Sequence, residues 1–115
     1  LLNGFMKKDT FETFVQGLYN ELTKILKDKN NDYTAGSCDA FANFAASRDY
    51  GVIPLVGLCV RMGDKVKRVQ TFCKTNSLAV EGEHVEDAFK DIIGYCTIAL
   101  AMIEDKREEN EINYP

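Results

Sequence analysis

Residues 85–106, VEDAFKDIIGYCTIALAMIEDK, decide the fold class. Val85, Ala88, Phe89, Ile92, Cys96, Ala99, Leu100 and Ile103 recur at the spacing that puts side chains on one face of a 3.6-residue helix. A second series, His84, Asp87, Asp91, Tyr95, Ile98 and Met102, advances by threes and fours along a neighbouring face, polar at its start and apolar at its end. A helix apolar on two sides is covered on two sides. The second cover is either another subunit or the first helix of the same chain, and the spacing does not choose between them.

Working outward, a helix is expected over 9–28, with Asp9 as cap and Glu12 three residues on as its capping-box partner. Phe11, Phe14, Val15, Leu18, Leu22, Ile25 and Leu26 would form its buried face. The next stretch, KNNDYTAGSC at 29–38, is rich in Asn, Asp and Gly and reads as a loop. A short helix over 39–49 follows, with Phe41, Phe44 and Ala45 inward and Gly51 as its stop. Pro54 suits the first turn of a third helix, whose core face would be Leu55, Leu58, Cys59, Met62, Val66, Val69 and Cys73. A polar connection from Lys74 to His84 leads into the helix at 85–106. No segment alternates at the strand period over a useful length. The expectation is an all-α bundle of about four helices, the third and fourth forming an antiparallel hairpin. It would occupy residues 1–103 as one domain, with 104–115 as an acidic C-terminal tail.

Composition narrows the function. The 115-residue chain is 45% hydrophobic and 28% charged, with net charge −4 and pI about 5.0. Such a chain can bury roughly two-thirds of its unfolded surface around one core. Mild acidity argues against DNA or RNA as a partner, because nucleic-acid binding wants a basic face. A small anion is still allowed, since a local cluster overrides net charge. No apolar run approaches the ~18 residues of a membrane span, and the N-terminus carries no secretory signal. Cys38, Cys59, Cys73 and Cys96 make no C-x-x-C pair, and His84 is the single histidine. The cysteines read as free thiols of a reducing, cytoplasmic compartment, with Cys59, Cys73 and Cys96 buried.

The third helix places Arg61, Asp64, Lys65 and Arg68 on one flank, at i, i+3, i+4 and i+7. Across an antiparallel hairpin, Arg68 comes opposite Asp91, Asp64 or Lys65 comes opposite Asp91 or Tyr95, and Glu86 and Asp87 face Arg68 and Phe72. This mixed-charge seam is either an inter-helix ion-pair network or a pocket. In a pocket, Arg and Lys would take phosphate and carboxylates would take hydroxyls, a base edge or a metal. Tyr33 and Tyr95 could stack on a base, whereas Phe41 and Phe44 read as core. Asp32, Ser37, Asp39 and Asn43 either cap and turn the chain or form the facing side of the site.

Asp32-Tyr33, Asp39-Ala40-Phe41-Ala42-Asn43-Phe44, Arg61, Asp64-Lys65, Arg68 and Glu86-Asp87 with Asp91 and Tyr95 lie in order over three segments. In these the chain resembles a family of small phage proteins, nucleotide modification associated domain 1, over about residues 29–103. The resemblance implies a helical, phage-borne protein of nucleotide metabolism and supplies a theme without a reaction. The first reading built on that theme is a small protein, expected to be oligomeric, that binds a nucleotide-like ligand in the infected bacterial cytoplasm and sequesters a nucleotide second messenger of anti-phage defence. The expected ligand-binding residues are Arg61, Asp64, Lys65, Arg68, Asp87, Asp91 and Tyr95, faced by Asp32, Tyr33, Asp39 and Asn43. No cofactor is expected. A second reading is a Mg-dependent all-α nucleotide pyrophosphohydrolase, which needs four carboxylates around the metal. Apart from Asp9 and Glu12 at the cap of the first helix, no helix before residue 81 carries two acids at i, i+3, and Asp87 and Asp91 with Asp64 or Asp39 would be an incomplete set. A third reading is a protein that docks on a host protein through the last helix or the acidic tail.

Overall fold

A computed structural model describes residues 4–34, 53–76 and 84–109. Within them the chain is all-α: α1 spans Lys8–Thr34, α2 Pro54–Thr75 and α3 Val85–Glu109, with no strand. The helix expected over 39–49, with Phe41, Phe44 and Ala45, lies outside the described residues, as do Cys38 and Gly51.

α1 starts a residue before the expected cap. The Phe11 N–H already donates to the Lys7 carbonyl at 2.9 Å, and Asp9 sits inside the first turn, where its carboxylate accepts the Thr10 N–H at 3.0 Å. The other end corrects the loop expected from residue 29: the helix continues through Asn30, Asn31 and Asp32 to Thr34. Local turn preference is weak against a tertiary tie, and Lys29 reaches Asp91 of α3 at 3.0 Å. α2 begins on Pro54, behind an extended Ile53 with φ −67° and ψ 146°. It ends on Asn76, whose left-handed φ of 57° turns its N–H onto the Phe72 carbonyl at 2.6 Å. α3 carries Glu86 and Asp87 in its first turn, where the helix dipole favours acids. It runs to Glu109, past the expected stop at 106; EDKREE is made almost wholly of good helix formers.

The core lies between α2 and α3. Leu58 is fully buried against Met102, with Leu55, Met62, Tyr95, Ile98 and Ala99 packed around the pair. Further along, Met62 Sδ lies 3.8 Å from Cys96 Sγ, and Lys65 meets Asp91 at 3.0 Å. The second stripe of α3 supplies most of this packing through Met102, Ile98 and Tyr95, joined by Ala99 of the first, while Phe89, Cys96 and Leu100 of the first are exposed. On α2, likewise, Cys59, Val66 and Cys73 face out. The cysteines expected to be buried, Cys59, Cys73 and Cys96, are therefore free and exposed. Both helices are apolar on adjoining faces, and periodicity identifies a stripe without saying which stripe meets the partner.

α1 packs along α3 and, among the described residues, not on α2. The crossing is at Gly94: a Cβ built there would stand 3.2 Å from Leu26 Cδ2, so the missing side chain permits the close approach. Among the described residues of α1, Leu22 is the one in the buried core. Phe11 and Phe14, expected to be core, are exposed.

Candidate functional site

Where α1 crosses the α2–α3 pair, the three helices enclose a groove of about 990 Å³. α3 lines it with Asp87, Lys90, Asp91, Gly94, Tyr95, Thr97, Ile98 and Ala101, a succession that keeps one face along the helix. α2 adds Arg61 and Lys65, four residues apart and so on the same side. α1 adds an apolar wall of Leu22, Ile25 and Leu26, then Lys27, Lys29 and Asn30.

Asp91 is the electrostatic centre. One carboxylate oxygen accepts from Lys29 Nζ and the other from Lys65 Nζ, both at 3.0 Å. Partial burial pushes the Asp91 carboxyl up. The hydrogen bonds and positive charges of Lys29 and Lys65 pull it down by more, so it is held below the ordinary carboxylate value. Lys90 of α3 reaches Glu21 of α1 at 2.9 Å. That hydrogen bond, with the charges of Glu21, Asp87 and Glu86, raises the Lys90 ammonium above its usual value. The groove thus holds five cations, Lys27, Lys29, Arg61, Lys65 and Lys90, against two acids, Asp87 and Asp91. Among the described residues, no group of three His, Cys, Asp or Glu side chains stands ready to hold a metal. No buried side-chain polar atom among them lacks a partner.

Of the residues singled out in the sequence, the structure brings Arg61, Lys65, Asp87, Asp91 and Tyr95 to the groove. Asp64 and Arg68 are exposed and do not line it; of the residues expected opposite Asp91, the structure pairs Lys65 with it at 3.0 Å. Asp32 is exposed in the last turns of α1, not in a loop, and does not line the groove. Tyr33 is in α1 by its backbone, with its side chain outside the described residues; Ser37, Asp39 and Asn43 also lie outside them. The sequence reading missed Lys27, Lys29, Asn30, Lys90 and Thr97. Lys90 could have been found, because it follows Asp87 by three on the seam side of α3. Lys29 could not, because its stretch reads as loop.

The fold and the groove define an all-α protein with a cation-rich cleft at a helix crossing. Residues 29–103 match the family model described as Nucleotide modification associated domain 1, and the chain belongs to that family. The matched segment opens on Lys29 and takes in every groove residue of α2 and α3. No curated protein and no solved structure matches the chain.

Proposed function

We propose that the groove binds a nucleotide-like anion and holds it without turnover. The observation that supports this reading most is the excess of three positive charges, five cations less two acids, beside an apolar wall and the Tyr95 ring. Phosphates suit lysine and arginine, and a base suits an aromatic face beside aliphatic side chains. About 990 Å³ lies at the upper end of the roughly 300–1,000 Å³ typical of ligand sites. Asp91 already occupies Lys29 and Lys65 as a carboxylate, and a ligand phosphate would compete for the same ammonium groups. The family resemblance to small phage proteins extends the proposal to its setting: a phage product sequestering a nucleotide second messenger of bacterial defence in the host cytoplasm. The reading takes α2 and α3 as an antiparallel hairpin that keeps Arg61 and Lys65 turned to α3.

The test is chromatography of a nucleotide panel of dNTPs, cyclic oligonucleotides and ADP-ribose derivatives, incubated with protein and magnesium and assayed before and after heating. One ligand should leave the supernatant and return intact on denaturation, and Lys65→Glu should abolish its capture. A cleaved product would replace sequestration by the pyrophosphohydrolase reading. No change in any sample would overturn ligand binding and turn attention to a protein partner.

A further inference from the structure

The first half of α1 has an apolar face and nothing in the described chain against it. Past the crossing at Leu26, residues 8–20 extend for ~20 Å at 1.5 Å per residue. Phe11, Phe14, Val15 and Leu18 share the face on which Leu22, Ile25 and Leu26 meet α3. Phe11 is 50% exposed, Phe14 56% and Tyr19, at the edge of the face, 60%; Phe5 just before the helix is 91% exposed. The positions 11, 15, 18, 22 and 25 alternate steps of four and three, the seam spacing of helices that pair with helices.

Three observations favour a second copy of this chain as the cover. A helical limb this short is marginal in water by itself, and Thr10, Thr13, Val15 and Gly17 make it a weak helix former, so packing must hold it. With Lys7 just before it, its charges cancel, Lys7 and Lys8 against Asp9 and Glu12, so two limbs do not repel. Aromatic side chains offer about 150–250 Å² each. At these exposures Phe5, Phe11, Phe14 and Tyr19 present roughly 500 Å², and Met6, Val15 and Leu18 add to it, approaching the ~800 Å² per partner of a standard interface. No residue of 8–20 lines the groove, so pairing of the limbs leaves it open.

We infer that the protein is a homodimer joined through this limb, the Phe11–Leu18 face of one α1 packed on the same face of its partner in a two-fold contact. Light scattering on the full chain should give twice the 12.9 kDa chain mass across a wide concentration range. The double variant Phe11→Glu, Phe14→Glu should give the single mass with most helicity kept, and Gln16→Glu on the polar face should stay dimeric. A single mass for the unaltered chain overturns the proposal, and so does a dimer that survives the double variant. Should the variant precipitate, a benzophenone side chain at position 14 in a mixture of light and heavy isotope chains decides the matter. Cross-links between light and heavy chains at α1 support the dimer; cross-links confined to one chain show an intramolecular cover and overturn it.

Discussion

Asp91 shows how one side chain can tie three helices. It stands on α3, takes Lys29 from α1 and Lys65 from α2, and has a quarter of its side chain exposed. Asn in its place keeps the shape but leaves two ammonium groups facing each other without a counter-charge. Pairs this close to solvent are worth little each, so Asp91→Asn should cost about 1 kcal/mol, and lower Tm by about 4 °C for a domain of this size. The pH dependence has a definite sign. The folded carboxyl titrates below its ordinary 3.8, so the unfolded chain binds more protons there and stability rises with pH. Asp91's contribution is complete above its unfolded value and fades as pH falls through the lower folded one. Melting curves of native and Asp91→Asn protein should therefore differ at neutral pH and converge below pH about 3.8. A difference undiminished in acid would mean that the ion pairs contribute nothing. This residue was legible in sequence through its spacing from Asp87 and Tyr95. Its partner Lys29 was hidden, because Asn30, Asn31 and Asp32 favour a turn locally and only the contact with α3 keeps that stretch helical.

At the scale of the element, two glycines in long helices have opposite roles. At Gly94 a Cβ would lie 3.2 Å from Leu26 Cδ2, and a branched side chain there must push α1 away from α3. Gly94→Val should cost about 1–3 kcal/mol as an overpacked contact, and Leu26→Ala in the same chain should recover part of the loss. Additive losses in that double-mutant cycle would show that the two positions do not touch. Gly17 is surrounded by open space and lies off the apolar face of α1. Gly17→Ala should raise stability by about 0.5–1 kcal/mol through helix propensity alone, read as a higher Tm with ligand capture unchanged. The elements themselves were legible to different depths. Pro54 and the stripes of α2 and α3 located both helices, since 3.6-residue periodicity survives whichever side is buried. The buried side was not legible: Cys59, Val66, Phe89 and Leu100 continue apolar faces that the structure turns outward. The choice between two adjoining stripes is made by how the other helices fit, which no local pattern encodes.

At the scale of the whole molecule, the core and the candidate site are parts of one packing unit. Leu58 is fully buried and packs with Met102, Tyr95 and Ile98; Tyr95 and Ile98 in turn line the groove. Few other residues are as buried: Leu22, Ala88 and Met102 complete the buried apolar set among the described residues. With so small a core, one truncation removes a large share of net stability, which for a domain is about 5–15 kcal/mol in all. Leu58→Ala should cost about 2–5 kcal/mol. In urea the midpoint should fall with the slope unchanged, because the surface exposed on unfolding stays nearly the same. The cavity it leaves lies behind Tyr95, so the ring is free to shift and ligand capture should weaken as well. Lys65→Glu lies away from Leu58 and sets a second carboxylate beside Asp91; it should abolish capture and lower the urea midpoint about as much as Asp91→Asn, well short of Leu58→Ala. The contrast separates a site that depends on the core from one that merely lies beside it: if Leu58→Ala lowers the midpoint and leaves capture intact under native conditions, the Tyr95 face takes no part in binding.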